Sequence, residues 1–235
     1  MSSRMLKERI FMNKNFSLKP LIAEFIGTFT LIFIGVGSIA ADSMTGGKLG
    51  LTGIALAHGL AIAVMASATG AISGGHLNPA VTIALWFAKK IETPKALGYV
   101  IAQCLGAIFA ALLIKGVVPA SVLLAVNMGT PSIGVGISTN AALLTEIILT
   151  FFLVFVIYGT AVDARAPKMA GLFIGLTVTL DILMGGPISG AAMNPARYFG
   201  PALLGGGLQN WWIYWVGPIC GGILAAAIYR YQLEK

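Results

Sequence analysis

Charged side chains are scarce in this sequence. Lysine, arginine, aspartate and glutamate make up 10% of its 235 residues, whereas hydrophobic residues make up 57%. A soluble domain carries about 25% charged residues, so the composition excludes an ordinary soluble fold and favours a membrane as the solvent. The sequence has only two cysteines and two histidines, and they lack the spacing of metal ligands or of a nucleophile and its base. We therefore expect no metal, no other cofactor and no catalytic centre.

Long apolar runs dominate what is present. Backbone amides in lipid must be paired internally, so such runs form helices or a closed barrel, and runs without strict alternation indicate helices. Each crossing needs about 20 apolar residues. The sequence therefore predicts an all-α integral membrane protein with six transmembrane helices. The predicted spans are residues 21–41, 50–71, 96–115, 141–162, 169–185 and 211–229.

The tripeptide Asn-Pro-Ala occurs twice, and the copies lie 116 residues apart. They consist of Asn78, Pro79 and Ala80 and of Asn194, Pro195 and Ala196. Each copy opens an apolar stretch of about ten residues, which rises only about 15 Å as a helix and cannot cross a membrane. Interrupted hydrophobic segments at corresponding positions of two halves indicate a binding or permeation site in an inverted repeat. We predict two re-entrant half-helices that enter from opposite faces and meet near the midplane.

The chain is predicted to fold as one channel domain. We expect a cytoplasmic N-terminal segment over residues 1–19 and a channel over 20–235, built from inverted halves at about 20–118 and 138–232. Lysines and arginines cluster at the ends of alternate spans, and the positive-inside rule then places both termini in the cytoplasm. The net charge of +7 is therefore a topology signal, and we expect no nucleic-acid partner.

Each asparagine is predicted to cap its half-helix, with the proline at the first helical position. The helix amides would hold the side-chain oxygen, which leaves the NH2 group as a fixed donor. Two such donors, from Asn78 and Asn194, would lie where two positive helix ends meet, and would orient water and repel cations. A single tripeptide would indicate only a good helix start, whereas the repeated frame favours a pore.

The segments before the two asparagines contain small residues and cannot be helical throughout. Non-helical backbone at membrane depth is tolerated where it lines a cavity or is buried in protein. We therefore expect a ladder of carbonyl acceptors. Its predicted members are Gly74, Gly75, His76, Gly190, Ala191 and Ala192.

Two glutamates, Glu24 and Glu146, occupy corresponding positions in the first span of each half. Acidic residues inside a membrane are functional by default. We interpret both as anchors that accept hydrogen bonds from the re-entrant loops, in preference to a proton relay. Asp181 has no counterpart in the other half, and its role is not assigned.

These motifs resemble those of the aquaporin, or major intrinsic protein, family. The resemblance covers residues 20–232 and rests on the paired Asn-Pro-Ala motifs, the Ala-Glu-Phe start at Ala23 and the run Gly-Gly-His-Leu-Asn-Pro-Ala-Val-Thr from Gly74. The loop from Ala161 to Lys168 is most similar to archaeal aquaporins of the M type. The resemblance implies a homotetramer in the cell membrane, with one pore per subunit and an outer filter that contains an arginine.

By position in the family that the chain resembles, the selectivity filter consists of His58, Ile182, Ala191 and Arg197. Strict water channels usually have Phe, His, Cys or Thr, and Arg at these positions, so this filter should be wider and less polar. Similar sets occur in plant tonoplast channels. Tyr198, after the arginine, favours the water branch over glycerol facilitators. We also expect permeability to change with pH if His58 titrates in the filter.

The resulting expectation is a passive, single-file, proton-excluding water channel, with the bilayer and small neutral solutes as its other partners. A facilitator of glycerol, ammonia, hydrogen peroxide or carbon dioxide with the same fold stays an alternative. An ion-coupled secondary transporter also uses broken helices, but it would need charged coupling sites near the midplane. A purely structural role in the membrane would predict no osmotic swelling.

Overall fold

The computed structural model describes residues 17–166 and 168–233. The predicted N-terminal segment therefore falls almost wholly outside the described residues. Within them, six helices are long and apolar enough to cross a membrane, which confirms the predicted fold class. In chain order the helices are α1 (Leu18–Met44), α2 (Gly50–Ser73), α3 (Pro79–Phe87), α4 (Thr93–Val117), α5 (Ala120–Ala125), α6 (Thr139–Ile157), α7 (Ala170–Ser189), α8 (Pro195–Pro201) and α9 (Ile213–Ile228).

The observed spans run past several of the predicted ends. Helix α1 begins at Leu18, three residues before the predicted start, because the Ser17 hydroxyl accepts a hydrogen bond from the Lys19 amide at 3.3 Å and so caps the first turn. Helix α7 continues to Ser189 because the residue that stops it is Gly190, at φ +83°, a conformation suited to glycine. At these two ends hydropathy falls before helical hydrogen bonding stops, so the predicted spans are too short there.

Two short helices, α3 and α8, follow the two Asn-Pro-Ala motifs. The Asn78 Oδ1 atom accepts from the Ala80 amide at 2.8 Å, and the Asn194 Oδ1 atom accepts from the Ala196 amide at 3.0 Å. With nine residues, α3 rises about 13 Å, less than half of a roughly 30 Å hydrocarbon core. The α-helical part of α8 ends at Pro201, earlier than predicted, and a single π-helical turn follows over Ala202–Gly206.

The same helix crossing occurs twice in the bundle. Helix α1 packs on α4 where a Cβ atom on Gly106 would lie 2.4 Å from the Phe25 carbonyl oxygen, and α6 packs on α9 where a Cβ atom on Gly221 would lie 2.1 Å from the Ile147 carbonyl oxygen. Glycine at both points lets the backbones approach closely. Helices α2 and α7 pack on each other between these two pairs.

The link between the halves is more ordered than its composition indicated. It contains α5 and a 3₁₀ turn over Asn127–Gly129, neither of which the sequence predicted. The apolar run of α5 is only six residues long, too short for a helical period to be recognised. The link packs on the bundle through Leu123 and Met128, which are both buried in the core.

Candidate permeation pathway

The two asparagines meet at the centre of the bundle and bond across it. Asn78 Nδ2 donates to the Met193 carbonyl at 2.8 Å, and Asn194 Nδ2 donates to the Leu77 carbonyl at 2.9 Å. Each NH2 group has two N–H donors, so one donor per asparagine is left for a molecule in the pore. The sequence predicted the two asparagine caps but not this crossed pair of bonds.

The loop before α3 is held by a fully buried carboxylate, that of Glu24. Its Oε1 atom accepts from the Ser73 hydroxyl at 2.6 Å and from the His76 amide at 2.9 Å. Its Oε2 atom accepts from the Leu77 amide at 2.6 Å and from Gln103 Nε2 at 2.7 Å. Four donors thus satisfy a charge that would otherwise be costly to bury.

Glu146 holds the loop before α8 in the same way. This carboxylate, also fully buried, accepts from the Ser189 hydroxyl at 2.7 Å, the Ala192 amide at 2.9 Å and the Met193 amide at 2.7 Å. The second half has no glutamine in the place of Gln103, so this anchor has three donors where the first has four.

A tyrosine ties each loop to the last span of its half. Tyr99 donates to the Ser73 carbonyl at 2.6 Å, and Tyr214 donates to the Ser189 carbonyl at 2.9 Å. Sequence reasoning missed this pair, although its signal was present, because the two tyrosines occupy corresponding positions in α4 and α9.

His76 is fixed at the loop by Thr82. The Thr82 hydroxyl donates to the Asn78 carbonyl at 3.0 Å, so its oxygen accepts from His76 Nδ1 at 3.1 Å and from Gln103 Nε2 at 3.0 Å. The single hydroxyl proton therefore makes Nδ1 of His76 the donor. Glu24, Gln103, Thr82 and His76 form one hydrogen-bond network behind the first asparagine.

A cavity of about 510 Å³ passes both asparagines. It is also lined by most of the other predicted site residues. These are Gly75, His76, Ala191, Ala192, His58, Ile182 and Arg197. Gly74 instead lines a vestibule at one end and Gly190 a vestibule at the other. The remaining motif residues are buried in α3 and α8 and do not line the cavity, namely Pro79, Ala80, Pro195 and Ala196.

The rest of the cavity wall is apolar. It is formed by Leu31, Ile62, Leu77, Val81, Leu153, Ile157, Ile174, Val178 and Met193. Sequence reasoning missed these residues because an apolar side chain that faces a pore and one that faces lipid or core have the same signature in a sequence. This apolar wall leaves the loops, the two asparagines, His58 and Arg197 as the polar groups that line the cavity.

The four predicted filter residues lie between the cavity and one vestibule. His58, Ile182, Ala191 and Arg197 line both the central cavity and a vestibule of about 710 Å³. Arg197 is buried, and its Nε atom donates to His58 Nε2 at 3.1 Å. Its Nη1 atom is also buried and has no hydrogen-bond partner among the described residues.

The His58 ring is held between two groups. His58 Nδ1 lies 2.8 Å from the Ile54 carbonyl and therefore donates to it, while Nε2 accepts from Arg197. Gly35 makes room for the ring, since a Cβ atom there would lie 2.4 Å from His58 Nε2. Protonation at Nε2 would break the bond to Arg197 and place two cations in contact. The expected pH dependence stays a prediction.

Asp181 remains without an assigned role. Its side chain is buried, and its Oδ2 atom has no hydrogen-bond partner within residues 17–166 and 168–233. It does not line the central cavity or the adjoining vestibules.

The vestibule at the other end, of about 1600 Å³, is bordered by the loop after α6. Asp163 in this loop accepts from Arg165 Nε at 2.8 Å and from the Tyr229 hydroxyl at 3.1 Å. The Arg165 side chain, followed by its backbone amide, holds the pKa of the Asp163 carboxyl well below its usual range. The carboxylate is therefore ionised at physiological pH, and it connects this loop to the turn after α9.

Comparison with known proteins gives consistent matches. The sequence profile described as Major intrinsic protein matches residues 11–229. The chain is 46% identical to "Probable aquaporin TIP3-2" of Arabidopsis thaliana, over 92% of this chain and 84% of that protein. It is 42% identical to "Aquaporin-4" of Mus musculus, over 91% of this chain and 67% of that protein. The solved aquaglyceroporin of Plasmodium falciparum is similar in structure, with a TM-score of 0.81, 26% identity, and coverage of 92% of this chain and 96% of that one.

Proposed function

The chain belongs to the major intrinsic protein family, and from this membership we infer that it is a passive, multi-pass membrane channel that conducts water. The relatives with 46% and 42% identity are named aquaporins, whereas the structural relative named an aquaglyceroporin is 26% identical. The observation that carries the proposal is a cavity that passes two crossed asparagine caps and a buried arginine. We assign the chain a channel function and no catalysis.

In the mechanism that we propose, water passes in single file along a mostly apolar wall. The remaining N–H donors of Asn78 and Asn194 turn each water oxygen toward the centre, so neighbouring waters point their hydrogens away from it. A chain oriented in this way cannot relay a proton through the centre. The positive ends of α3 and α8 and the charge of Arg197 add an electrostatic barrier to cations.

A second candidate function is passage of small neutral solutes through the same pore. Ile182 and Ala191 offer no polar side-chain atom, and Arg197 is drawn against His58. Both features favour a filter that is wider and less polar than that of a strict water pore. Glycerol, ammonia, hydrogen peroxide and carbon dioxide are the solutes to compare.

We further propose a homotetramer in the cell membrane with both termini in the cytoplasm. The orientation is supported by charge. Lys89, Lys90 and Lys95 lie near the start of α4 and Arg230 near the end of α9, whereas Lys48 and Lys115 are at the opposite helix ends. Basic residues favour the cytoplasmic side.

Stopped-flow light scattering on proteoliposomes tests the channel function. A sucrose gradient should drive rapid shrinkage with a low activation energy, well above the rate of protein-free liposomes. A glycerol gradient should give the same first phase, and re-swelling would report glycerol entry. Shrinkage no faster than in protein-free liposomes would contradict the water-channel function, while saturable uptake that depends on an ion gradient would favour a transporter.

Ala191 provides a direct test of the filter. Cys104 and Cys220 do not line the cavity, so we expect mercuric chloride to leave water flux unchanged. The substitution Ala191→Cys should make the flux mercury-sensitive and reversible by a thiol, because a mercury atom on this side chain would fill the passage. A matched variant, Ala192→Cys, probes the next position of the loop. If mercury binds to Ala191→Cys and the water flux does not change, Ala191 is not part of the filter.

A further inference from the structure

An apolar groove lies on the outside of the bundle between α1 and α4. It has a volume of about 790 Å³ and is separate from the central cavity. All of its lining residues are apolar. Its main walls are Leu21, Ile22 and Phe25 from α1, and Ile101, Ala102 and Leu105 from α4. Ile22 and Ile101 are more than half exposed, so the groove opens toward the surroundings and suits a hydrocarbon chain.

The groove follows from the way the two helices cross. They are closest at Gly106, where no side chain separates the backbones. Toward the helix starts, Gly98 also lines the groove and contributes no side chain to fill it. The groove therefore exists because the sequence places no side chain at this position between α1 and α4.

Two lysines lie at the end of the groove. Leu21 and Gly98 line the same groove and lie in the first two turns of α1 and α4, so both helices start at the same membrane face. Lys19 and Lys95 are in the first turns and are exposed. Neither has an acidic partner among the described residues. The positive helix ends add to this charge, and the exposed acid near them in the described part of the chain is Glu92.

The second half of the chain provides an internal comparison. It repeats the helix crossing at Gly221 but not the glycine or the two lysines of the groove. With the helices aligned on Tyr99 and Tyr214 and on Glu24 and Glu146, the counterparts are Ile213 for Gly98, Asn210 for Lys95 and Ala141 for Lys19. Ile213 is fully buried. The scaffold therefore does not require a glycine or the two lysines at these positions.

We propose that this groove binds one anionic phospholipid, with an acyl chain between α1 and α4 and its phosphate beside Lys19 and Lys95. The apolar walls match the acyl chain, and the two ammonium groups, which have no acidic partner among the described residues, match the headgroup. Lys95 Nζ lies 5.4 Å from the centre of the Tyr99 ring, which restricts its position at the membrane surface. A zwitterionic lipid would satisfy the groove but would gain less from the lysines.

Native mass spectrometry of the full chain in detergent tests the site. The protein is titrated with phosphatidylglycerol and, separately, with phosphatidylcholine of the same chains. One phosphatidylglycerol should bind in preference to phosphatidylcholine. A lysine near an anionic lipid contributes enough for about a fivefold change in affinity, so Lys19→Gln with Lys95→Gln should weaken binding by about thirtyfold. Gly98→Ile, which copies the second half, should weaken it with both lysines in place.

The control is Lys48→Gln with Lys168→Gln, which removes the same charge away from the groove and should leave the binding unchanged. Wild-type osmotic shrinkage in each variant reports an intact fold. An equal loss of phosphatidylglycerol binding in the two double lysine variants would show only a general attraction of the lipid to positive charge, and would overturn the site. Unchanged lipid binding in Gly98→Ile would show that the acyl chain does not lie in the groove. If Gly98→Ile altered only the oligomeric state, the groove would be a subunit contact and the proposal would be wrong.

Discussion

Arg197→Val should let protons and small cations leak through a pore that still conducts water. Arg197 is buried in the filter, and its Nη1 atom has no partner among the described residues. A unit charge at about 4 Å contributes about 4 kcal/mol at an effective dielectric constant near 20, which corresponds to a factor of about 10³ in rate. The positive ends of α3 and α8 remain in the variant, so we expect a rise in proton conductance of at least about tenfold.

The measurement is proton flux in proteoliposomes that contain a pH-sensitive dye, together with osmotic shrinkage. Arg197→Lys is the matched control, because it keeps the charge but loses the planar guanidinium that bonds His58. It should retain proton exclusion. Among the described residues, valine leaves one acceptor, His58 Nε2, without its donor, so we expect the fold to persist. Equal proton flux in wild type and Arg197→Val would show that the barrier lies elsewhere.

Glu146→Ala should abolish water conduction and destabilise the protein. The substitution leaves three buried donors without an acceptor, namely the Ser189 hydroxyl and the amides of Ala192 and Met193. Each orphaned donor costs about 1–3 kcal/mol, so the total loss is several kcal/mol. The loop would then no longer position the Met193 carbonyl, which accepts from Asn78.

Thermal unfolding in detergent and osmotic shrinkage measure this effect. Thr150→Ala, one turn further along α6, is the matched control, since that hydroxyl bonds only the Glu146 backbone carbonyl. It should change the free energy of unfolding by less than about 1 kcal/mol. Glu24→Ala should be at least as harmful as Glu146→Ala, because Glu24 has four donors. Wild-type stability and water flux in Glu146→Ala would contradict the anchoring role.

The sequence predicted the architecture because its signals are local and repeated. Asn-Pro-Ala in two copies, each before a short apolar stretch, indicated the half-helices, and the long apolar runs indicated the spans. Helix ends were less predictable, because hydrogen bonds at Ser17 and the left-handed Gly190 set them, not hydropathy.

The sequence did not predict which residues of the site contact each other. The crossed bonds join residues 115 and 117 positions apart, and no spacing rule relates such positions. The bond from Arg197 to His58 also depends on space made by Gly35 in another helix. Asp181 shows the same limit in reverse, since its acidic side chain is conspicuous in the sequence and its Oδ2 atom has no hydrogen-bond partner among the described residues.

The crossed amides have a consequence for genetics. Asn78 rests on a carbonyl from the second half, and Asn194 rests on a carbonyl from the first. Neither repeat can therefore lose its loop without misplacing the donor of its twin. A lesion in one copy should be as damaging as lesions in both, so the duplication confers interdependence and no redundancy.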